Sequence, residues 1–150
     1  MTARINYRKV SGVYGAMDHL DEYVNASGLE ASLIELVRLR ASQVNSCAYC
    51  VDMHWKDLRA LGETEQRLAC LSVWRECSFY SERERAALAW SEAVTAILGG
   101  VPDAVYEEVR PHFTEKELAD LTLVVAAINA WNRICIAGRL VPGGYLPAPS

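Results

Sequence analysis

The chain has 150 residues, 51% of them hydrophobic and 23% charged, a balance that fits a globular protein and excludes a disordered one. Lys and Arg number 15 against 19 Asp and Glu, a formal net charge of −4. This excludes the basic excess of a nucleic-acid binder and the clustered Lys/Arg of a lipid-headgroup patch, so neither nucleic acid nor membrane is an expected partner. A chain of this length buries about 68–70% of its unfolded surface and needs no disulfide staples, and residues 1–150 read as one domain.

In chain order, Met1 to Tyr14 mixes Arg4, Arg8 and Lys9 with few apolar residues. No apolar core of a secretory signal is visible, and the expected location is the cytoplasm. Met17, Leu20, Tyr23 and Val24 recur at helical spacing before Gly28, which suits the position after a helix end. Leu33, Leu36, Val37 and Val44 mark a second helix from about Glu30 to Val44. Asn45 and Ser46 are helix-capping residue types and precede a third segment, Cys47 to Leu61, ending at Gly62. Thr64 or Glu65 opens a fourth, running to about Arg75. Ser81 with Glu84 reads as a capping box for a helix reaching Leu98, before Gly99-Gly100.

Pro102 fits the first position of a short helix ending near Arg110-Pro111. A second capping box, Thr114 with Glu117, opens the longest and most apolar helix, Glu115 to Ala137, which Gly138 stops. Its apolar run from Leu121 to Ala130 is too short to cross a bilayer, so the helix is either central or buried between subunits. The tail 139–150 carries Pro142, Gly143, Gly144, Pro147 and Pro149 and reads as an extended arm over the surface or onto a neighbouring subunit. Strand signals are nearly absent. The fold class is all-α, with about seven helices and a Cys-x-x-Cys motif at a helix N-terminus.

That motif carries the chemistry. Cys47-Ala48-Tyr49-Cys50 is followed four residues later by His54, and Glu35 lies on the preceding helix. Five cysteines without an export signal point to thiol chemistry, a metal or plain burial rather than a disulfide framework. Unpaired N–H groups and the positive dipole end in a first helical turn stabilise a thiolate, and cysteines so placed fall from about 8.5 to about 3.5–7.5 in pKa. The i, i+3 spacing puts both sulfurs on one face. The i, i+4 spacing puts the imidazole of His54 one turn below Cys50, where it can take or return a proton. A helix hairpin would bring Glu35 back to the same spot.

These are the parts of a peroxide-reducing centre: attacking thiolate, resolving thiol, base and carboxylate. The residues alone leave two other readings open. One is a zinc site drawing on Cys47, Cys50, His54 and Glu35, in a spacing uncommon for structural zinc. The other is two buried cysteines. Where a helix-terminal Cys-x-x-Cys exposes its first cysteine, Cys47 would meet an external reductant and Cys50 the peroxide. Tyr49, Met53 and Trp55 are candidates for an apolar pocket suited to an organic hydroperoxide. Cys70, Cys77 and Cys135 read as buried small apolar residues. Arg40 and Gln43 are candidates for positioning Glu35, which could itself pair with Arg38 or Arg40. Asn129, Trp131, Asn132 and Arg133 interrupt an apolar helix and need partners.

The pattern Glu, eleven residues, Cys-x-x-Cys, three residues, His resembles the signature of the AhpD-like proteins of the carboxymuconolactone decarboxylase superfamily. Glu35, Cys47, Cys50 and His54 occupy it. The resemblance extends over Arg40–Cys50, Trp74–Thr95 and Ala126–Gly144. It implies the AhpD-like helical fold, a homo-oligomer (trimer or hexamer), and peroxidase activity with no cofactor. By the same resemblance Cys50 is peroxidatic, Cys47 resolves it, and Glu35 and His54 relay protons. The electron donor would be a thiol or lipoyl-type reductant. Tyr49 departs from the pattern, because studied members carry a histidine there. A phenol with pKa near 10 does not shuttle protons at neutral pH, which leaves a shorter relay. The alternatives are a non-catalytic redox-sensing or metal-binding Cys-x-x-Cys protein and, disfavoured by the cysteine pair, a lactone decarboxylase.

Overall fold

The computed structural model describes residues 2–148. Eight α-helices follow one another: α1 (Tyr7–Val10), α2 (Val13–Asn25), α3 (Ala31–Val44), α4 (Ala48–Ala60), α5 (Glu65–Cys70), α6 (Glu82–Thr95), α7 (Asp103–Val109) and α8 (Glu115–Gly138). Two 3₁₀ turns, Leu71–Glu76 and Arg110–His112, extend α5 and α7. No strand occurs among the described residues. The short α1 buries none of its residues, so no apolar periodicity marks it in the sequence.

Both capping boxes form. Ser81 and Thr114 accept from the backbone N–H of Glu84 and Glu117, whose carboxylates accept the return bonds at 2.8 Å each. Three helix ends depart from expectation. The helix opened by Ser81 stops at Thr95 rather than Leu98: Ala96 leaves the helical region at φ −89°, ψ 54°, and Gly99 and Gly100 beyond it take positive φ. Leu98 is left in solvent, so extension would bury nothing. Pro102 is the capping residue of α7 rather than its first helical residue. The segment expected to run to Arg75 breaks after Cys70, with Val73 at φ −121° inside the 3₁₀ turn. Gly138 is itself still helical, and Arg139 takes the left-handed conformation, φ 52°. The glycine is needed for a close approach: a Cβ there would lie 2.6 Å from the Tyr7 ring, and the N–H of Arg4 donates to its carbonyl at 2.8 Å.

Helix α3 is the hub, packed against α4, α6 and α8. It buries Leu33, Ile34, Leu36, Val37 and Leu39, each leucine contributing about 1.5–3 kcal/mol relative to exposure. Helix α8 is 24 residues long with a window of mean hydropathy 1.4, long and apolar enough by composition to cross a membrane. In this fold it is the second hub, packed on α2, α3, α4 and α6 through Leu121, Val124, Val125 and Ile128. The packing of α3 on α4 brings Glu35 to His54. The arm lies on α4 of its own chain: Lys56 Nζ donates to the carbonyls of Gly143 and Tyr145 at 3.1 Å each. The N–H of Gly143 donates to Asp52 at 2.9 Å. Pro149 and Ser150 of the expected arm lie outside the described residues.

Candidate active site

The chain turns sharply between α3 and α4. Ser46 takes φ 57°, and the N–H of Cys47 donates to the Ser42 carbonyl at 3.0 Å. Cys47 is itself the N-cap of α4 and Cys50 its third residue. Neither Asn45 nor Ser46 caps the helix, contrary to the sequence expectation. Asn45 instead donates from Nδ2 to the amide oxygens of Asn129 and Asn132, 2.9 Å each. Asn132 donates on to Ser42 Oγ at 3.0 Å, and Asn129 to Thr95 Oγ1 at 3.0 Å. The amides that interrupt the apolar α8 are thus a clamp holding the turn before the cysteines. No side chain caps α4, which leaves its first-turn N–H groups to the sulfurs and favours negative charge there.

Cys47 and Cys50 are joined in a disulfide with Cα atoms 5.4 Å apart. Both are 1% exposed. Cys50 lines a cavity of about 380 Å³, and Cys47 is not among its lining residues. The expectation that Cys47 faces an external reductant is therefore corrected: Cys47 is buried in a cluster with Cys50 and Cys135, against which Tyr49, Trp131 and Leu140 pack, and Cys50 is the sulfur of the pair that a small molecule in the cavity meets. Cys135, from the last turn of α8, brings a third sulfur to the pair, all three within 4.8 Å of one another. Burial pushes its thiol up to about 11.

One turn into α4, His54 is 4% exposed. Its Nδ1 lies 2.7 Å from Glu35 Oε2. The other carboxylate oxygen of Glu35 accepts from Arg38 at 2.7 Å, Arg38 donates to Asp21 at 3.1 Å, and Asp21 accepts from the Trp131 indole at 2.8 Å. Burial raises the Glu35 pKa, but the hydrogen bond and charge of His54 and the Arg38 guanidinium outweigh it and hold the carboxyl below its ordinary range. A proton on Nδ1 donated to that carboxylate leaves the Nε2 lone pair free. Nε2 is fully buried and has no hydrogen-bond partner among the described residues, an orphan that a thiol or a substrate oxygen could satisfy. Asp57 also lies near Nδ1, 3.9 Å away, and accepts from the Tyr145 hydroxyl at 2.7 Å.

Tyr49 and Met53 line the cavity with Tyr14, Trp131 and Tyr145. Tyr14 and Trp131 meet edge to face at 5.2 Å, and the Arg8 guanidinium sits 4.5 Å over the Tyr14 ring. Burial, then the nearby Cys135, push the Tyr49 phenol above its ordinary value. Trp55 does not line the cavity and is 38% exposed, because one residue beyond His54 on α4 the helix presents its outer face. Arg40 and Gln43 do not reach Glu35 either. Arg40 donates to Glu92 at 2.7 Å and to Gln43 at 3.1 Å on the α6 side of α3.

Sequence reasoning does not find Asp57, Tyr145, Tyr14 or Asp21. Asp57 is signalled by its i+3 spacing from His54; the other three come from distant segments with no local signal. The metal-ligating atoms also separate differently than the sequence suggests. The three sulfurs form one cluster, and Glu35, His54 and Asp57 form another. Arg38 beside Glu35 leaves the second little room for a cation.

The sequence model of the family described as "Carboxymuconolactone decarboxylase family" matches residues 12–93. An uncharacterised protein of Bacillus subtilis (strain 168), YdfG, is 45% identical over 140 residues, covering 91% of this chain and 95% of its own. The crystal structure of ATU0492 from Agrobacterium tumefaciens, a protein of unknown function provisionally assigned to AhpD-type antioxidant defence, superposes with a TM-score of 0.92 at 44% identity. It covers 96% of this chain and 100% of its own. The debrominase Bmp8, solved as a cysteine-to-alanine variant in complex with 2,3,4-tribromopyrrole, shares the fold with a TM-score of 0.79 at 18% identity, covering 87% and 70%.

Proposed function

The chain belongs to the carboxymuconolactone decarboxylase family, in its AhpD-like group, and from that premise we propose that it is a thiol peroxidase acting on organic hydroperoxides. In the reduced protein the Cys50 thiolate attacks one oxygen of the O–O bond. A sulfenic acid forms on Cys50 and an alkoxide leaves, taking a proton relayed by His54 with Glu35. The Cys47 thiol then displaces the sulfenic hydroxyl as water and closes the disulfide. A thiol or lipoyl-type reductant reopens it by attack on Cys50 from the cavity side.

The observation that carries this reading is the placement of His54. Its Nδ1 is fixed by Glu35 and its Nε2 is buried without a partner, one turn from the cavity-facing sulfur. An aromatic lining of Tyr14, Tyr49 and Trp131 suits an organic peroxide better than hydrogen peroxide. Lactone decarboxylation is not part of the proposal, since it has no use for the cysteine pair. The uncovered parts of α8, including the exposed Ile136, suit a homo-oligomer of three or six chains, and a cytoplasmic setting would keep the dithiol reduced.

Mass spectrometry of the reduced protein after one equivalent of cumene hydroperoxide tests the reaction. The expected product has lost two hydrogens, mapped to a Cys47–Cys50 link, with one equivalent of alcohol released. An unchanged dithiol beside intact hydroperoxide would refute it.

A further inference from the structure

The peroxidase reading uses two sulfurs, yet three meet at the head of α4. Cys135 comes from the other end of the sequence, in the last turn of α8, and its Sγ lies within 4.8 Å of both Cys47 and Cys50. Cys135 and Cys50 both line the cavity, so a small solute meets two of the sulfurs there, with the third within 4.8 Å of both. The surroundings are apolar: Tyr49, Trp131 and Leu140 pack against the three cysteines. The nearest imidazole–carboxylate cluster, Glu35, His54 and Asp57, is a separate group.

We propose that the reduced form of these three cysteines is a trithiol capture site for a trivalent thiophilic hydroxide, with arsenite as the representative ligand. Charge selects this class. Soft thiolates also favour copper(I) and zinc, but three thiolates around copper(I) carry a net charge of −2, and around zinc −1. Buried net charge in an apolar shell is costly, and zinc wants a fourth ligand that the cluster does not hold. The third sulfur also sits at the wrong helix end for a thiolate. Cys47 and Cys50 face the positive N-terminus of α4, while Cys135 faces the negative C-terminus of α8.

A neutral trihydroxide avoids both costs. Each thiol replaces one hydroxyl, three As–O bonds break and three As–S bonds form, and the three thiol protons leave with the hydroxyls as three waters. No electron is transferred and the product is neutral. Closing the Cys47–Cys50 disulfide removes two of the three ligands, so the site exists in the dithiol state alone. Capture would therefore block peroxide turnover, and oxidation would release the ligand.

The test uses the full-length Cys70→Ser/Cys77→Ser protein, which removes the other cysteine pair, reduced with a phosphine and mixed with one equivalent of sodium arsenite. Native mass spectrometry should show one arsenic gained and three hydrogens lost, and the disulfide form should show no adduct. Cys135→Ser should give an adduct that keeps one hydroxyl and loses two hydrogens. Its affinity should be weaker by about tenfold or more, the loss ordinarily seen when even an outer partner of a bound ion is removed. An adduct that retains a hydroxyl in the protein with all three sulfurs overturns the proposal, whether or not Cys135→Ser folds. Equal affinity with and without Cys135, or zinc displacing arsenite at equal concentration, overturns it too. Peroxide turnover in the same background, measured separately, reports on the peroxidase alone.

Discussion

Cys47 with Cys50 and Cys70 with Cys77 are two pairs of neighbouring thiols built on opposite terms. The first pair is buried at the N-terminus of α4, with Cys50 on the wall of a cavity and a fixed imidazole one turn below. The second brackets the 3₁₀ turn Leu71–Glu76 and is half-exposed. Cys77 contacts the Val73 carbonyl at 3.6 Å. Its thiol is pushed up by desolvation and then by the adjacent Cys70, and Glu76 adds in the same direction. On the proposed function, exposure is therefore not what makes a thiol reactive. A long helix N-terminus with a base nearby favours a thiolate; Cys70 caps only the short 3₁₀ turn Leu71–Glu76, and among the described residues no histidine bonds to either thiol of the second pair.

The attacking sulfur should show the difference between the pairs most strongly. Cys50→Ser should lower hydroperoxide kcat/KM by about 10³-fold or more, as loss of a nucleophile does. Cys70→Ser/Cys77→Ser should leave it unchanged within about twofold, as expected of thiols with no part in the chemistry. Coupled peroxidase assays on the two proteins settle it, and a large loss in the second would remove the basis of the contrast. Next in size is His54, the base of the proposed reaction. His54→Gln keeps a hydrogen-bonding side chain but cannot move a proton between two ring nitrogens. It should cost about 10²–10⁴-fold in kcat/KM, the usual range for general acid–base catalysis, while leaving Cys70 and Cys77 alkylation rates untouched.

How much of this is legible in the sequence follows from the range of each interaction. Glu35, Cys47, Cys50 and His54 are legible because i, i+3 and i, i+4 spacings bring groups together within one helix, and both capping boxes because they span three residues. Cys135 reads as an inert core cysteine. Nothing local in α8 reports that α4 begins beside it, more than eighty residues away in the chain. The burial of Cys47 is hidden for the same reason, since Trp131, Cys135 and Leu140 of the cluster that holds it come from the far end of the chain. Nearness in sequence puts Trp55 in the pocket, but on a helix each further residue turns a side chain about 100° away. Tyr14 and Tyr145 come from the N-terminal and C-terminal segments, whose landing places are set by packing.

The amide clamp holds the turn beside the first pair. Asn132→Ala removes one of the two amide acceptors of Asn45 and the donor to Ser42 Oγ, while Asn129 and the Arg38 carbonyl still serve them, and should destabilise the chain by about 1–2 kcal/mol, two hydrogen bonds at the usual net value. Urea unfolding measures it. If the clamp positions the first pair alone, the variant should also slow peroxide oxidation of Cys50 in stopped-flow while Cys70 and Cys77 react as before.

The smallest effect concerns the two carboxylates near His54 Nδ1, which should respond to pH with opposite sign. Glu35 is held below its ordinary value of 4.5 because His54 and Arg38 outweigh its burial. Its stabilising contribution is present above that value and is lost as pH falls through the lower folded one. Asp57 is raised above 3.8, first by burial and also by the like charge of Glu35, despite the hydrogen bond from Tyr145. Its ionisation is harder in the folded than in the unfolded chain, so it erodes stability as pH rises through that window. Asp57→Asn keeps an oxygen to accept from Tyr145 and removes the charge. It should raise Tm at pH 7 by about 1–2 °C, because 1 kcal/mol moves Tm by about 2–4 °C in a chain of this size and partial exposure screens the effect. The gain should vanish below pH 3.8, where the carboxyl is protonated in both states. Calorimetric scans from pH 3 to 7 distinguish the cases: a Tm that falls on making Asp57→Asn would mean that the Asp57 charge stabilises the folded chain as that of Glu35 does, and the two carboxylates would then be alike.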